Sequence, residues 1–371
     1  MWSKPSRITK LTERIDSKDP LFVITTPSNI TYLTGVPSAE GAVLVSAPER
    51  GYHKLLTNIL EYYRFRDSSP GWIDVLSFYR ASNEMVAPDD IELAGEDPVS
   101  AITNLVKGQP GEVYCDLGGV TCETRDKLKE LCKNNDLGRI VQDVRSVKDH
   151  SEIQAIKTSI EIAEEAFMEV LNHMDTGVTE LELAGKLGLE MRKRGGEKEA
   201  FPTIIAFGEK AAYPHAIPGE RKLSRGELVL VDWGTVKNNY NSDMTRTFIF
   251  KSSGSESMKF IETVNEAVET AIEKVEPGVK ASEIDGAARK VLEKYGLASK
   301  FIHGLGHGVG VEVHEAPYIR PGSDTVLREG MVFTIEPGVY IHGKLGVRIE
   351  EMVEVTSKGA KVLTGIPRIL T

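Results

Sequence analysis

The chain has 371 residues, which suggests two domains or one large one, and its 40% hydrophobic and 27% charged residues are typical of globular proteins rather than disordered or fibrous ones. Its 45 Lys and Arg residues and 55 Asp and Glu residues give a formal net charge of −10. Because domains that bind duplexes need a basic surface, we expect no nucleic acid among its partners.

The cysteines and the apolar segments predict a cytoplasmic protein. Cys115, Cys122 and Cys132 are odd in number, and their spacings fit neither paired CxxC motifs nor a disulfide framework. This favours a reducing compartment. The first residues lack the apolar run of a secretory signal. No later segment approaches the roughly 18 apolar residues of a membrane span, so no membrane interaction is expected.

Short apolar runs alternate with helical stretches over about residues 1–145. The runs 21–26, 42–45 and 113–119 are predicted to be strands, and 123–132 is predicted to be helical. Strands that alternate with helices indicate an α/β layer domain. This part of the sequence contains neither a nucleotide-binding loop nor a cluster of metal ligands.

A domain boundary is predicted near residue 145, so that 146–371 form a second domain. This domain begins with a long amphipathic helix, for which Ser151 is the predicted N-cap. A second helix is predicted to start at Thr179, because Thr179 and Glu182 have the spacing of a capping box.

Two further helices are predicted at about 257–275 and 282–295, and β segments lie between and after the helices. Grouped helices and antiparallel hairpins indicate an α+β domain. Two helices followed by an acidic hairpin occur twice, at about 151–250 and 257–355, and this duplication would bring two hairpins face to face. The predicted β segments are 228–232, 245–250, 331–335 and 346–355.

Acidic residues interrupt the apolar strands of both hairpins. Asp232 ends the run Leu-Val-Leu-Val-Asp, and Asp243 follows eleven residues later. Glu336 and Glu350 repeat this arrangement in the second hairpin. A buried strand is a costly place for a charge, and like charges side by side repel unless a proton or a metal intervenes. Taken singly, an acid at the end of a strand is more often a solvated residue or a turn cap than a metal ligand.

Three histidines, His303, His307 and His314, lie in a glycine-rich segment between the hairpins. Each alone could be structural, and the segment lacks the spacing of a phosphate-binding loop. Four carboxylates and an imidazole together suit Mn²⁺, Co²⁺, Zn²⁺ or Fe²⁺. Four negative ligands can balance two divalent ions about 3.5–4 Å apart.

Five ordered motifs of the second domain resemble the pita-bread metallopeptidases, and within them the Xaa-Pro dipeptidases (prolidases) and Xaa-Pro aminopeptidases. The segment PSNITYLTG at 27–35 is similar to the creatinase-type N-terminal domain of that group. The resemblance therefore implies a creatinase-like α/β domain at 1–145 and a pita-bread (creatinase/aminopeptidase-like) catalytic domain at 146–371. The motifs are DWG at 232–234, YNSDMTRT at 240–247, HGLGHGVGVEVHEAP at 303–317, TIEPGVY at 334–340 and GVRIEEM at 346–352.

The resemblance implies a peptidase with two divalent metal ions, in which a metal-bridging hydroxide attacks the scissile carbonyl of an Xaa-Pro peptide. Asp232 would chelate one metal, and Asp243 and Glu350 would bridge both. His307 and Glu336 would bind the second metal. Glu336 would also take a proton from the bridging water as the general base.

Further residues outside the ligand set follow from the same resemblance. His215 and His314 would steady the scissile carbonyl and the gem-diolate and pass a proton to the leaving proline nitrogen. Arg348 would orient a bridging carboxylate. A homodimer is implied as well, because N-terminal domains of this group usually mediate dimers.

His303, Phe201 and Ile204 would line an apolar pocket for the proline ring, although Phe201 and Ile204 could equally belong to the core. The sequence favours a dipeptidase over an aminopeptidase that acts on longer peptides, and it leaves both open. A creatinase-like hydrolase or a binding module without metal is a further alternative, as is methionine aminopeptidase. All five ligand positions are intact, which favours the metallopeptidase.

Overall fold

The computed structural model describes residues 6–37, 41–80, 87–134, 136–252 and 256–370. The chain divides into two units, Met1–Arg145 and Ser146–Thr371. Across the described ranges, none of the helices combines the length and the apolar character needed to cross a membrane.

The strands of the first unit form a six-stranded mixed sheet in the order β5-β4-β3-β2-β1-β6. Neighbours are antiparallel from β1 to β3, whereas β6 is parallel to β1, and β4 and β5 continue parallel from β3. The strands are β1 Leu21–Ile24, β2 Val43–Ala47, β3 Tyr52–Asn58, β4 Asp74–Phe78, β5 Leu93–Gly95 and β6 Val113–Asp116. The helices are α1 Ser6–Thr12, α2 Pro27–Thr34, α3 Tyr62–Ser68, α4 Pro98–Val106, α5 Cys122–Leu128 and α6 Leu137–Ser146.

Strand β1, which lies between β2 and the edge strand β6, has four consecutive buried residues, as expected of a strand whose two faces are both covered. It ends at Ile24, earlier than predicted, and the chain turns directly into α2. Thr26 is the N-cap of α2, and Pro27 occupies its first turn, where proline costs no hydrogen bond. The predicted strand–helix alternation is therefore present in this unit.

A disulfide joins Cys115 and Cys132, whose Cα atoms are 5.8 Å apart. The expectation that the cysteines form no disulfide is therefore wrong for this pair. The pairing depends on the fold, because the chain returns after α5 to lie beside β6. There the N–H of Cys115 donates to the carbonyl of Asn134 at 2.8 Å, and that of Lys133 donates to Val113 at 2.9 Å.

The second unit contains two layers of paired helices and several small antiparallel sheets, with the orders β12-β9-β8, β11-β10-β7, β14-β13-β15-β18-β19 and β16-β17. Its helices are α7 His150–Asn172, α8 Glu180–Lys193, α9 Glu256–Ile272 and α10 Ala281–Lys294. Its strands are β7 Lys198–Glu199, β8 Ile204–Phe207, β9 Leu228–Trp233, β10 Thr235–Lys237, β11 Tyr240–Asn241, β12 Met244–Ile249, β13 Gly306–Gly308, β14 Glu315–Ile319, β15 Val332–Ile335, β16 Gly338–Ile341, β17 Leu345–Arg348, β18 Glu351–Thr356 and β19 Gly359–Val362.

The strand β9 separates two hydrophobic cores. Its residues Val229, Val231 and Trp233 pack in the core that includes α7 and α8, whereas Leu228 and Leu230 pack in the core that includes α9 and α10. Because side chains alternate between the faces of a strand, a strand buried on both faces is expected to be apolar on both. Asp232, which faces the same side as Leu228 and Leu230, is the exception in β9.

Two details differ from the sequence prediction. The N-cap of α7 is Asp149 and not Ser151, because Asp149 forms a reciprocal capping box with Glu152, at 3.0 Å in both directions. The predicted strand 346–355 is interrupted at Ile349 and Glu350, because the chain leaves β16 there and pairs next with β15. The capping box of Thr179 and Glu182 is present as predicted.

The disulfide generates a test of stability. Cys115 and Cys132 are separated by 17 positions, and closing a loop of this size stabilises a domain by about 3 kcal/mol. We expect one reactive thiol per unfolded chain before reduction and three after it. Reduction should also lower the free energy of unfolding of the first unit by about 3 kcal/mol. The control is Cys122→Ser, at the exposed free cysteine, which should leave that loss unchanged. Three reactive thiols without a reductant would contradict the pairing.

Candidate metal centre

The antiparallel pair β9–β12 presents two aspartates on one face. Asp232 lies opposite Thr245 across the pair. Asp243 immediately precedes β12 and is two positions from Thr245, so it lies on the same face. Both carboxylates are buried, and the predicted juxtaposition of the two aspartates follows from this register.

The pair β15–β18 adds two glutamates. The last residues paired between these strands are Ile335 and Glu351, and Glu336 and Glu350 lie one step beyond them. The N–H of Glu350 donates to the carbonyl of Thr245 at 3.1 Å, and the Thr245 hydroxyl donates to Oε2 of Glu350 at 2.7 Å. These bonds hold the end of the second pair against β12.

His307 lies on the short strand β13 between two glycines. A Cβ on Gly306 would lie 1.9 Å from the carbonyl oxygen of Thr334, and one on Gly308 would lie 2.2 Å from that of Ala316. Only glycine therefore allows β13 to pass so close to both neighbouring segments. The N–H of His307 donates to the Thr334 hydroxyl at 3.1 Å.

The imidazole of His307 points its Nε2 atom at the acidic residues. Its Nδ1 donates to the carbonyl of Gly308 at 3.2 Å, which leaves Nε2 at 3.3 Å from Oε1 of Glu336 and 3.6 Å from Oδ2 of Asp243. Asp243, His307 and Glu350 each offer a ligand atom within 4.8 Å of the others. Such a group can hold a metal ion.

Arg348 is a buried cation beside this group. Its Nη2 donates to Oδ2 of Asp232, its Nε donates to the Thr245 hydroxyl at 3.1 Å, and its Nη1 donates to the Tyr340 hydroxyl at 2.7 Å and to the carbonyl of Pro214 at 3.3 Å. Burial alone would lower the pKa of Arg348, but Tyr340 and Asp232 raise it well above its usual value. The guanidinium is therefore a permanent positive charge.

The carboxylates carry more negative charge than their surroundings stabilise. Burial raises the pKa of Asp232 and raises those of Asp243 and Glu350 well above the usual value, with neighbouring carboxylates adding to the effect. Burial alone would also raise the pKa of Glu336, but the hydrogen bond and charge of His307 lower it. The same contact raises the pKa of His307 against the effect of burial. A divalent cation would remove this imbalance.

The donor atoms fit divalent metal ions. Oδ1 of Asp232 is buried and has no hydrogen-bond partner among the described residues, although its Oδ2 accepts from Arg348. A buried carboxylate oxygen without a partner is costly, and a cation would satisfy it. Carboxylate oxygens with one imidazole nitrogen suit divalent ions of hard or intermediate character.

Two further predicted histidines lie near this group. The ring centroid of His314 is 4.2 Å from that of His307. Burial lowers the pKa of His314, and the charges of His307 and His215 lower it further. His215 is exposed. Its effect on the pKa of His314 places the two imidazoles within electrostatic reach of each other.

The three residues predicted to line a pocket have different surroundings. His303 shares a hydrogen bond of 3.0 Å between its Nε2 and the hydroxyl of Tyr340, and burial lowers its pKa. Ile204 lies opposite Asp232 in the β8–β9 register. It packs in the hydrophobic core, which was the second of the two places considered for it. Phe201 is half-buried, three residues before Ile204.

Three residues of the centre were missed by the sequence analysis. Thr245 bonds both Glu350 and Arg348, Thr334 bonds His307, and Tyr340 links Arg348 to His303. Thr245 could have been found by pairing the first hairpin so that it lies opposite Asp232. Thr334 and Tyr340 begin and end the motif TIEPGVY, but nothing in the sequence indicates which side chains they bond.

Comparisons with known proteins agree with this geometry. Residues 154–357 match Metallopeptidase family M24, and residues 7–147 match the Creatinase/Prolidase N-terminal domain. An Xaa-Pro dipeptidase of Pyrococcus furiosus is 36% identical over 368 residues, which cover 98% of this chain and 99% of that protein.

Solved structures extend the similarity over the whole chain. The prolidase from Pyrococcus furiosus superimposes with a TM-score of 0.80 at 34% identity, over 98% of this chain and 100% of that one. An X-Pro aminopeptidase from Thermotoga maritima MSB8 gives 0.83 at 29% identity, over 97% and 100%. The predicted creatinase-type N-terminal domain and pita-bread catalytic domain are thus confirmed. The chain belongs to metallopeptidase family M24, whose members use divalent metal ions, and it carries a creatinase/prolidase-type N-terminal domain.

Proposed function

We propose that the protein is an Xaa-Pro dipeptidase that depends on two divalent metal ions. The observation that carries this proposal is the acidic group beside His307, whose Nε2 lies 3.3 Å from Glu336 and 3.6 Å from Asp243, in a chain that matches relatives named Xaa-Pro dipeptidase over nearly its full length. The intact ligand set argues against a metal-free hydrolase or binding module, and the matched N-terminal domain argues against methionine aminopeptidase.

We assign the five ligands as follows. Asp232 would hold one metal through the oxygen that has no hydrogen-bond partner among the described residues, and Asp243 and Glu350 would serve both metals. His307, through Nε2, and Glu336 would hold the second metal. Mn²⁺ and Co²⁺ are our first choices, and Zn²⁺ and Fe²⁺ suit the same atoms. Bound there, the ions supply an activated water at neutral pH and neutralise negative charge that develops on the substrate.

The surrounding side chains handle protons and orientation. Glu336, whose pKa is held low by His307, is the general base for the attacking water. Arg348 fixes Asp232. His314 and His215 steady the scissile carbonyl and the gem-diolate, and they deliver a proton to the leaving nitrogen. That proton is needed because the C–N electron pair stays with the departing nitrogen, which leaves as a neutral amine only when it is protonated.

The proline side of the substrate would lie against His303, Phe201 and Ile204. His303 is held by Tyr340, which also bonds Arg348, so the pocket and the metal centre share one hydrogen-bond chain. The compact apolar ring of proline suits such a small hydrophobic wall.

We also propose a homodimer and a cytoplasmic location. The disulfide between Cys115 and Cys132 removes the cysteine argument for a reducing compartment, but intracellular proteins of hyperthermophiles do carry disulfides.

An Xaa-Pro aminopeptidase is the second candidate, because the Thermotoga maritima X-Pro aminopeptidase has the same fold over 97% of this chain. The two activities differ in the length of peptide that is accepted. A substrate comparison therefore separates them.

Substrate length gives the first functional test. The purified protein, loaded with Mn²⁺ or Co²⁺, is offered Xaa-Pro and Xaa-Pro-Yaa-Zaa peptides with the same first residue. We expect kcat/KM for the dipeptide to exceed that for the tetrapeptide by at least about tenfold, the least that would count as discrimination. Equal cleavage of both would favour the aminopeptidase, and cleavage of neither would refute the proposed function.

Removal of a bridging ligand gives the second test. Asp243→Asn should lower kcat/KM by roughly a hundredfold or more, since changes even beyond the ligands of a metal site cost about 10–100-fold in metal affinity or activity. Metal stoichiometry, measured on the same samples, should fall below two ions per chain. The matched control is Asp116→Asn, which alters a buried carboxylate of the first unit and should keep both ions. An active Asp243→Asn protein would contradict the assignment.

The raised pKa values of Asp243 and Glu350 give a prediction about pH. In the metal-free protein these groups keep protons that the unfolded chain has lost, so stability should fall as the pH rises from the usual carboxyl range through the raised values. Mn²⁺ must displace those protons, so its binding should release protons and weaken as the pH is lowered. Calorimetric titrations in two buffers of different ionisation enthalpy measure the release. Binding without proton release at every pH between the usual carboxyl range and neutrality would be the contrary result.

A further inference from the structure

A buried ion pair lies next to the segment that carries His314. Nζ of Lys148 is 2.9 Å from Oε1 of Glu315, and the two side chains are 0% and 3% exposed. Taking both charges out of water is costly, and apolar side chains of similar size often stabilise a fold equally well. We therefore expect this pair to matter more for the position of the segment that carries His314 than for the stability of the fold.

Glu315 anchors the loop that precedes it. It follows His314 directly and is the first residue of β14. Its Oε2 accepts the N–H of Glu312 at 3.2 Å, and a Cβ on Gly310 would lie 2.5 Å from its Oε1. The loop 310–314 thus surrounds the carboxylate of Glu315. Gly310, which has no Cβ, leaves room for this carboxylate to lie against the loop.

Asn241 holds the other side of the same loop. Its side-chain Nδ2 donates to the carbonyls of Gly310 and Val311 at 2.9 Å, and its backbone N–H donates to Gly310 at 2.9 Å. Asn241 lies two residues before Asp243, so these bonds tie the loop to the first acidic hairpin.

Lys148 is itself fixed to the backbone. Its N–H donates to the carbonyl of Gly330 at 2.8 Å, and its Nζ donates to the carbonyl of Ser146 at 3.4 Å. Gly330 has a φ of +85°, and a Cβ there would lie 2.9 Å from the Lys148 carbonyl. The ammonium group is therefore held at a fixed place beside the segment that leads into β15.

We propose that Lys148 is a positioning residue for His314. Through Glu315 it fixes the loop 310–314, and thereby holds the imidazole of His314 at 4.2 Å, between ring centroids, from that of His307. This inference rests on the proposed function and on the catalytic role proposed for His314. Lys148 itself acts only through Glu315 and does not touch the substrate.

The test is a double-mutant cycle with Lys148→Met and His314→Ala in the Mn²⁺-loaded protein. A displacement of about 1 Å can cost on the order of a hundredfold in rate. We therefore expect Lys148→Met to lower kcat for an Xaa-Pro dipeptide by roughly ten- to a hundredfold. In the His314→Ala background, the same change should alter kcat by less than about twofold, because residues that act as a unit are not additive.

Two further readouts separate positioning from general damage. The affinity for Mn²⁺, measured by calorimetry, should change by less than about threefold in Lys148→Met, since His314 is not among the proposed metal ligands. Arg50→Met, which removes a partly buried ion pair with Asp19 in the first unit, should leave kcat unchanged. If Lys148→Met does not fold, Glu315→Gln, which keeps the shape and removes the charge, takes its place with the same expected result.

The outcomes point to different failures. Equal losses from Lys148→Met in both backgrounds, or no loss in the wild-type background, would overturn the positioning role while the proposed function stands. A His314→Ala protein with wild-type kcat would overturn the role of His314 and, with it, that of Lys148. Wild-type protein that cleaves no Xaa-Pro peptide would overturn the proposed function itself.

Discussion

Electrostatic repulsion among four closely placed carboxylates is the constraint on which the second unit depends. Asp232, Asp243 and Glu350 are buried, Glu336 is nearly so, and the guanidinium of Arg348 donates to the carboxylate of Asp232. Burial and mutual repulsion raise three of the four pKa values. A divalent cation bound there would lower this electrostatic cost, and the same ion would supply the metal chemistry of the family.

The fold meets this constraint by bringing two strand pairs together. Hydrogen bonds from Thr245 join β12 to the segment of Glu350, and glycines on both sides of His307 let β13 approach its neighbours. On either side, the cores under α7 and α8 and under α9 and α10 hold the strands rigidly. The charged centre is thus supported by apolar packing on two sides.

A second layer of polar contacts orders the histidines around the centre. Tyr340 connects Arg348 to His303, and the buried pair of Lys148 and Glu315 frames the loop of His314. These contacts join segments far apart in the sequence, since Lys148 precedes Glu315 by 167 positions. Orientation of the proposed catalytic groups is therefore a property of the whole unit rather than of any motif.

The sequence by itself determined the α/β and α+β character of the two parts and the acids that end the strands, because alternation and spacing are local. The resemblance of its motifs predicted the ligand set. Tertiary structure alone decided that Cys115 pairs with Cys132, that the strand breaks at Glu350, and that Lys148 reaches Glu315. Each depends on segments distant in the chain being packed together. Such contacts leave no periodic or spacing signal along one sequence.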